Sequence, residues 1–335
     1  MYPQLLIDLE KLNQNLETLS RLAKEGDCSL MIVTKSFCAD TRIVDEILEH
    51  DAVEYLADSR IRNIASYADR AHIAGKETVL LRLPMVSEVE EVVRFADLSL
   101  NSEIETIRLL DREATRQNKT HKVLLMIDLG DLREGLFFRD EEAIMAVCDE
   151  ILKMRHIRLF GIGTNLTCYG AIIPKSDNLE QLVRLTKRIQ SRFSTTMTMV
   201  SGGNSSSVYL IPKKQLPRGI NNLRLGEAFI LGNETAYTSR IPGTHNDAVL
   251  LRAQIIECKE KPSLPIGEVG VDAFGEVPHY EDKGVITRAI LAVGKQDTDP
   301  GGLTPLDAET EILGGSSDHL LVHVKSGTYR IGDTM

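Results

Sequence analysis

Short apolar runs alternate with longer amphipathic segments over the first 235 residues of the chain. The runs are continuously apolar, which is typical of parallel strands that are buried on both faces. The predicted strands are 5–8, 30–34, 53–56, 79–83, 98–100, 123–128, 159–163, 197–200 and 223–225.

Amphipathic helices are predicted between these strands. Segment 10–24 places Leu12, Leu16 and Leu19 at three- and four-residue spacing, and segment 178–192 repeats the pattern. Alternating strands and helices predict a parallel α/β fold. Roughly eight such units favour a (β/α)8 barrel of the TIM type, and an open doubly wound sheet is the alternative. No G-x-G-x-x-G motif follows the first strands, which argues against a dinucleotide-binding domain.

The residue composition of the chain changes after residue 235. Proline, glycine and aspartate become frequent, and short apolar runs appear at 249–256, 285–293 and 320–324. This pattern predicts a mainly antiparallel β domain. We therefore expect a barrel domain over 1–235 and a C-terminal β domain over 236–335.

Charge and cysteine content limit the partners and the compartment. A net charge of −10 argues against nucleic-acid binding, because phosphate neutralisation needs clustered lysine and arginine. Five cysteines without C-x-x-C spacing predict reduced thiols and a cytoplasmic protein. No secretory signal and no apolar run of about 18 residues is visible, so no membrane partner is expected. No metal site is predicted, because His319 and His323 lie too far apart along a strand.

A lysine ends the second predicted strand. Active sites of such barrels lie at the carboxyl ends of the strands, where Lys35 is expected. In a poorly hydrated pocket the pKa of this amine would fall, and the amine would become a nucleophile. The alternative is a rim lysine that extends into water.

A segment rich in glycine and serine, 199–211, follows a later strand with the sequence MVSGGNSSSVYLI. Its small residues let backbone amides approach an anion, and the hydroxyls of Ser205 or Ser206 add donors. A plain glycine turn with serine caps is the alternative. No lysine follows at P-loop spacing, so a phosphate monoester is favoured over a nucleoside triphosphate.

Polar side chains also end three other predicted strands. Arg224 is able to bind an anion or to donate to a ring nitrogen, and an ion pair with Glu227 or another rim carboxylate is the alternative. Arg133 follows one strand, and Asn165 and Cys168 follow the next. With the strand-end lysine and the glycine-rich segment, these residues suggest pyridoxal 5'-phosphate. That cofactor needs an aldehyde-binding lysine, a phosphate cradle and a partner for its pyridine nitrogen.

The order of these residues resembles that of the alanine racemase family of fold type III pyridoxal-phosphate enzymes. The resemblance covers essentially the whole chain and is stronger still to family members that racemise ornithine. The strings that carry it are MYPQLLIDLEKL, YLADSR, DLGDLREG, NLTCYGAIIPKSDNL, SGGNSSSVYLI, SLPIGEVGVDAFG and LGGSSDHL.

The resemblance implies a role for each matching residue. Lys35 would bind the cofactor covalently, and Arg224 would donate to its pyridine nitrogen. Arg133 would lie near the phenolic oxygen, and Asn165 would pack against the ring. The residues implied around the phosphate are Ser201, Gly202, Asn204, Ser205, Gly226 and Glu227.

The chain also departs from the family pattern. Val271 stands where alanine racemases carry the tyrosine that serves as second base, and Ala39 replaces a tyrosine after the lysine. Both changes argue against alanine as substrate. The second base is therefore open among several residues, of which Asp272 is preferred: Asp272, Cys168, His279 and Tyr169. Alternatively, Asp272 would bind a distal ammonium group of the substrate. A C-terminal tyrosine of the family has no counterpart, which suggests that the β domain is incomplete at its end.

The resemblance implies a pyridoxal-phosphate-dependent racemase of ornithine, or of a close basic amino acid, in which Lys35 and a second base act on opposite faces of Cα. It also implies a homodimer with shared active sites. A fold type III decarboxylase and a non-catalytic pyridoxal-phosphate carrier are the alternatives. Carriers of this family typically lack a β domain, so the residues after Gly232 count against the carrier.

Overall fold

The computed structural model describes residues 1–271, 274–275 and 277–335. Contacts between Cα atoms divide the chain into two compact units, one of residues 8–248 and one of residues 1–7 with 249–335. The functional division at residue 235 stays a prediction. In the part of the chain that is described, no helix is long and apolar enough to cross a membrane.

The regular elements follow each other in the order that the apolar pattern predicts. The strands are β1 (Gln4–Ile7), β2 (Ser29–Val33), β3 (Val53–Asp58), β4 (Glu77–Leu80), β5 (Leu98–Asn101), β6 (His121–Asp128), β7 (Leu136–Phe137), β8 (Ile157–Gly163), β9 (Met199–Ser201), β10 (Asn222–Leu225), β11 (Val249–Arg252), β12 (Ile255–Pro262), β13 (Val285–Leu291), β14 (Thr310–Gly315) and β15 (Leu320–Val324). The α-helices are α1 (Leu9–Glu25), α2 (Thr41–Glu49), α3 (Ile61–Ile73), α4 (Val89–Phe95), α5 (Ile104–Arg116), α6 (Glu141–Lys153), α7 (Ser176–Phe193) and α8 (Glu227–Ile230).

Eight parallel strands of the first unit form a closed barrel. The sheet runs in the order β5-β4-β3-β2-β10-β9-β8-β6, and an additional pairing of β5 with β6 closes the ring. The two-residue strand β7 pairs with the end of β6 outside the ring. The predicted TIM-type barrel is therefore confirmed, and the open sheet is wrong.

Apolar side chains fill the interior of the barrel. Met31, Tyr55, Leu100, Leu124 and Phe160 belong to one buried cluster to which most of the barrel strands contribute. Successive side chains of a strand point to opposite faces of the sheet. One set of side chains therefore packs in the barrel interior, and the other set packs against the surrounding helices. Polar side chains of these strands are thereby concentrated at the strand ends.

The first predicted strand does not belong to the barrel. Strand β1 pairs antiparallel with β11, with Gln4 opposite Arg252 and Ile7 opposite Val249. Leu5 is 61 % exposed. An apolar run this short does not distinguish a barrel strand from the edge of another sheet. The expectation of a strand buried on both faces is wrong here.

The second unit is built from antiparallel strands. Its four-stranded sheet has the order β12-β13-β15-β14, with every neighbouring pair antiparallel. A small core of alternating apolar residues lies against this sheet and includes Ile255, Ala289, Leu291 and Val322. The predicted mainly β C-terminal domain is confirmed.

Candidate active site

A cavity of about 260 Å³ lies at the carboxyl ends of the barrel strands. It is lined by residues that follow β2, β6, β8, β9 and β10. Nine of the residues that the sequence singled out are among them: Lys35, Arg133, Asn165, Cys168, Asn204, Ser205, Arg224, Gly226 and Glu227. A closed parallel barrel brings the ends of distant strands to one face, which explains why residues far apart in sequence share this cavity.

Lys35 follows β2 and begins a short 3-10 turn of residues 35–37. The preceding residue, Thr34, is fully buried and donates its hydroxyl to the Asp58 carboxylate at 2.6 Å. Asp58, at the end of β3, also accepts from the Arg60 amide at 2.8 Å. Lys35 itself is exposed at the mouth of the cavity, so the expected poorly hydrated surroundings are wrong. The supporting carboxylate Asp58 was not predicted, although it too ends an apolar strand.

Arg224 is the most enclosed cation of the cavity lining, with 3 % of its surface exposed. Its guanidinium donates to the Ser201 hydroxyl, to the Thr164 carbonyl at 2.6 Å and to Asn165 Oδ1. Burial lowers the pKa of Arg224 to about 10. Among the contacts of the described residues, the alternative ion pair with Glu227 does not occur; neutral acceptors hold the guanidinium instead.

Asn165 connects Arg224 to a carboxylate that the sequence analysis missed. The amide nitrogen of Asn165 donates to Glu134, and Arg133 donates to the same carboxylate through Nε and Nη2. Burial acts to raise the pKa of Glu134, but the hydrogen bonds and charge of Arg133 and the bond from Asn165 outweigh it and lower that pKa. Glu134 stands next to Arg133 in the string DLREG, and a carboxylate beside a strand-end arginine was the available signal.

The glycine-rich segment forms a compact turn between β9 and a 3-10 helix of residues 205–210. Asn204 accepts from the Ser206 amide at 2.9 Å, and the Ser205 hydroxyl accepts from the Ala228 amide at 3.1 Å. The second bond joins this turn to the start of α8, so that the turn after β9 and the turn after β10 border the same cavity.

Ser201 and Gly202 lie behind this turn and are not among the residues that line the cavity. The Ser201 hydroxyl is bonded to Asn222 Oδ1 at 2.6 Å and accepts from Arg224. A Cβ at Gly202 would lie 2.4 Å from Ile220 Cγ2, so a larger residue would displace the chain. Both residues therefore support the cavity wall.

Cys168 lies on the loop that follows β8, with its side chain exposed toward the cavity. A buried carboxylate, Asp131, holds this loop by accepting from the amides of Cys168, Tyr169 and Ile172 at 3.3, 2.9 and 3.1 Å. Gly170 packs so closely that a Cβ there would lie 2.7 Å from the Asp131 carbonyl oxygen. The thiol is therefore not buried, as the alternative had it, and its role stays a prediction. Partial desolvation raises the pKa of Cys168.

The other three candidates for the second base are Asp272, His279 and Tyr169. Asp272 lies outside the described residues. His279 belongs to the unit that contains residues 249–335. Tyr169 is exposed and is not among the residues that line the cavity, although it neighbours Cys168.

The chain is similar to known amino-acid racemases over nearly its whole length. Residues 7–233 match the family model described as alanine racemase, N-terminal domain. The chain is 50 % identical to ornithine racemase of Acetoanaerobium sticklandii over 335 residues, which is 99 % of this chain and 93 % of the relative. It is 37 % identical to lysine racemase of Thermotoga maritima, over 99 % of this chain and 92 % of the relative.

Solved structures share the fold at much lower identity. The alanine racemase of Bartonella henselae with covalently bound pyridoxal phosphate superimposes with a TM-score of 0.69 at 18 % identity, covering 100 % of this chain and 89 % of that chain. At this identity the superposition carries the architecture and not the reaction.

Proposed function

Since the chain belongs to the family of the alanine racemase N-terminal domain, we propose that it is a pyridoxal-phosphate-dependent racemase of ornithine or a closely related basic amino acid. The observation that carries the proposal is the convergence of Lys35, Arg224 and the turn around Ser205 on one cavity at the strand ends. The substrate class follows from identities of 50 % and 37 % to an ornithine racemase and a lysine racemase over nearly the whole chain.

The donor set of the cavity fits the three polar parts of pyridoxal 5'-phosphate. Lys35 is an amine for its aldehyde, and Arg224 is a donor for its ring nitrogen. Asn204, Ser205 and the chain at Gly226 and Glu227 line the same cavity and would hold its phosphate. When bound, the cofactor supplies an electron sink that makes the Cα proton of an amino acid removable.

Racemisation needs one proton-transfer group on each face of Cα. Lys35 serves one face, because its exposed amine reaches into the mouth of the cavity. For the opposite face we propose Cys168 or Asp272. Cys168 lines the same cavity, and its raised pKa makes the thiol a proton donor at neutral pH. Asp131 would hold that thiol in place through the loop amides.

The family resemblance also supports a homodimer with shared active sites, and the free cysteines support a cytoplasmic location. Apolar side chains of the segment that carries Val271 are exposed, with Ile266 at 93 % and Val277 at 65 %. Exposed apolar residues clustered in this way are typical of surfaces that bind another protein. Sedimentation of a fully active monomer would contradict the dimer.

The test of the racemase combines a spectrum with an exchange assay. Protein loaded with pyridoxal 5'-phosphate is expected to show a visible absorbance band that Lys35→Ala abolishes. L-Ornithine in deuterated water is expected to gain Cα deuterium and lose its optical rotation. A coloured protein that exchanges no Cα proton of any basic amino acid would overturn the proposal, and release of carbon dioxide would favour the decarboxylase.

A second experiment separates the two candidates for the opposite face. Cys168→Ala and Asp272→Asn are assayed with L- and D-ornithine separately. The variant that lacks the second base is expected to exchange the Cα proton of one enantiomer only, because Lys35 still acts on its own face. Exchange of both enantiomers by a variant excludes the substituted residue.

A further inference from the structure

One carboxylate lies behind the polar wall of the cavity and connects its side chains. The Glu134 side chain is 14 % exposed and is not itself among the residues that line the cavity. It contacts two groups that do line it, Arg133 and Asn165, and Asn165 in turn contacts Arg224. The chain of contacts joins the loop after β6 to the loop after β8 and to the end of β10.

The contact with Arg133 uses one whole edge of the guanidinium. Nε and Nη2 of Arg133 both donate to Glu134, one to each carboxylate oxygen. This two-point contact fixes the plane of the guanidinium as well as its position. The remaining Nη1 donors of Arg133 are thereby turned away from the carboxylate.

The contact with Asn165 decides which way its amide points. A carboxylate only accepts hydrogen bonds, so Asn165 must present its NH₂ group to Glu134. Its oxygen then faces Nη2 of Arg224, which only donates. A flipped amide would place oxygen against carboxylate and NH₂ against guanidinium, and both contacts would be repulsive.

The same carboxylate compensates a buried charge. Among the described residues, Arg224 makes no direct ion pair, and its three acceptors are neutral: the Ser201 hydroxyl, the Thr164 carbonyl and Asn165. Burial lowers the pKa of Arg224, and the charge of Glu134, one amide away, acts to raise it. Glu134 thus stabilises the positive charge of Arg224, the group proposed to face the pyridine nitrogen.

We infer that Glu134 is a positioning residue that sets the orientation of Arg133 directly and of Arg224 through Asn165. This inference rests on the proposed function, because those groups are the proposed cofactor donors. Glu134 touches neither substrate nor cofactor in this role. Its loss is expected to change how the cofactor is held and how fast Cα protons move, and to leave the capture of substrate unchanged.

The test uses Glu134→Gln, which keeps the size of the side chain and removes its charge. In the holoenzyme we expect a displaced maximum of the visible absorbance band, a cofactor dissociation constant raised about tenfold and kcat lowered about ten- to a hundredfold, the range for a lost charged hydrogen bond. KM for ornithine is expected to stay unchanged. Glu180→Gln is the matched control, because it breaks an exposed ion pair with Arg184 on α7.

A second variant tests the connection between Glu134 and Arg224 at the residue that joins them, Asn165. Asn165→Ser leaves Glu134 intact and breaks its path to Arg224, so it is expected to displace the absorbance maximum in the same direction. In the double variant the two displacements are expected not to add. Because Asn165 also lines the cavity, its displacement supports the path only through this lack of additivity, and Glu134→Asp takes the place of Glu134→Gln in the double variant if the latter fails to fold.

The outcomes separate this inference from the proposed function. Wild-type protein without a cofactor band or proton exchange overturns the proposed function. A loaded, active wild type whose Glu134→Gln variant matches the Glu180→Gln control in absorbance maximum and kcat overturns the positioning role alone. Additive displacements in the double variant overturn the path through Asn165.

Discussion

The two ends of the barrel carry cavities of nearly the same size and different chemistry. The cavity at the carboxyl ends of the strands measures about 260 Å³, and one at the amino ends of β3 and β4 measures about 280 Å³. The second is lined by Asp51, Glu54, Tyr55, Lys76 and Glu77. Size and the presence of charged residues therefore do not distinguish them.

The difference lies in how their charged groups are engaged. At the amino end, Lys76 donates to the carbonyls of His50 and Val53 at 2.8 and 2.9 Å, and Glu77 accepts from Lys122. These contacts tie the start of one strand to the preceding turns and to a strand nearby. At the carboxyl end, Lys35 is presented at the cavity mouth on a supported turn. The two lysines therefore differ in their surroundings: Lys76 is buried and donates to backbone carbonyls, whereas Lys35 is exposed and lines the cavity at the strand ends.

The largest expected effect comes from removing the lysine at the carboxyl end of the barrel. Lys35→Ala is expected to lower the rate of Cα proton exchange about a thousandfold or more, because a proton-transfer group is lost. Its thermal unfolding midpoint is expected to match that of the wild-type apoprotein, since Lys35 is exposed. Deuterium incorporation followed by mass spectrometry and thermal unfolding measure the two quantities. A variant that unfolds early would show that Lys35 is structural.

The amino end is expected to control the stability of the barrel in acid. His121, the first residue of β6, is fully buried, its Nε2 lies 2.7 Å from the Ser99 hydroxyl, and burial lowers its pKa to about 4. Below its ordinary pKa of 6.5 the unfolded chain binds a proton that the folded chain does not. The free energy of unfolding should therefore fall by up to about 3 kcal/mol as pH falls from 6.5 to 4.

His121→Gln is the variant that checks this pH dependence. Its urea midpoint is expected to change less than that of the wild type between pH 6.5 and 4, with unchanged activity per folded molecule. Equal pH slopes for the two proteins would assign the acid sensitivity to other groups.

The buried lysine at the amino end is expected to affect stability and not catalysis. Lys76→Met keeps the aliphatic stem and leaves the carbonyls of His50 and Val53 without their donor. A cost of about 2 kcal/mol in the free energy of unfolding follows from the lost bonds and the orphaned carbonyls. Urea unfolding measures it. A fall in kcat without a fall in the free energy of unfolding would show that Lys76 acts in catalysis, contrary to the difference proposed between the two ends.

The smallest of these effects is expected in the turn that follows β9. Ser205→Ala removes the hydroxyl that accepts from the Ala228 amide and borders the proposed phosphate space. The dissociation constant of pyridoxal 5'-phosphate is expected to rise about tenfold, measured by titrating the apoprotein and following absorbance. Ser66→Ala on α3 is the control, because that exposed hydroxyl donates to the Asn63 carbonyl of its own helix. Equal pyridoxal 5'-phosphate affinities of the two variants would show that Ser205 does not bind the phosphate.

Much of the architecture followed from local patterns. Continuous apolar runs and amphipathic spacing depend on neighbouring residues alone, so the eight barrel strands, the TIM-type closure and the antiparallel C-terminal sheet were all predicted. Strand β1 was misplaced, because a short apolar run does not specify its pairing partner. The exposure of Lys35 matches the alternative of a rim lysine rather than a poorly hydrated pocket, and the strand that precedes it could not decide between the two.

The sequence by itself determined which chemical groups stand at the strand ends and in which order. Only the tertiary structure decided what those groups face. Arg224 and Asn165 meet across 59 positions of the chain, and Asn165 and Glu134 across 31. The physical reason is the order of the sheet, in which β6, β8, β9 and β10 are consecutive parallel neighbours, so that their carboxyl ends lie side by side irrespective of their separation in sequence. The orientation of a side chain at that rim is then set by the donors and acceptors of its neighbours.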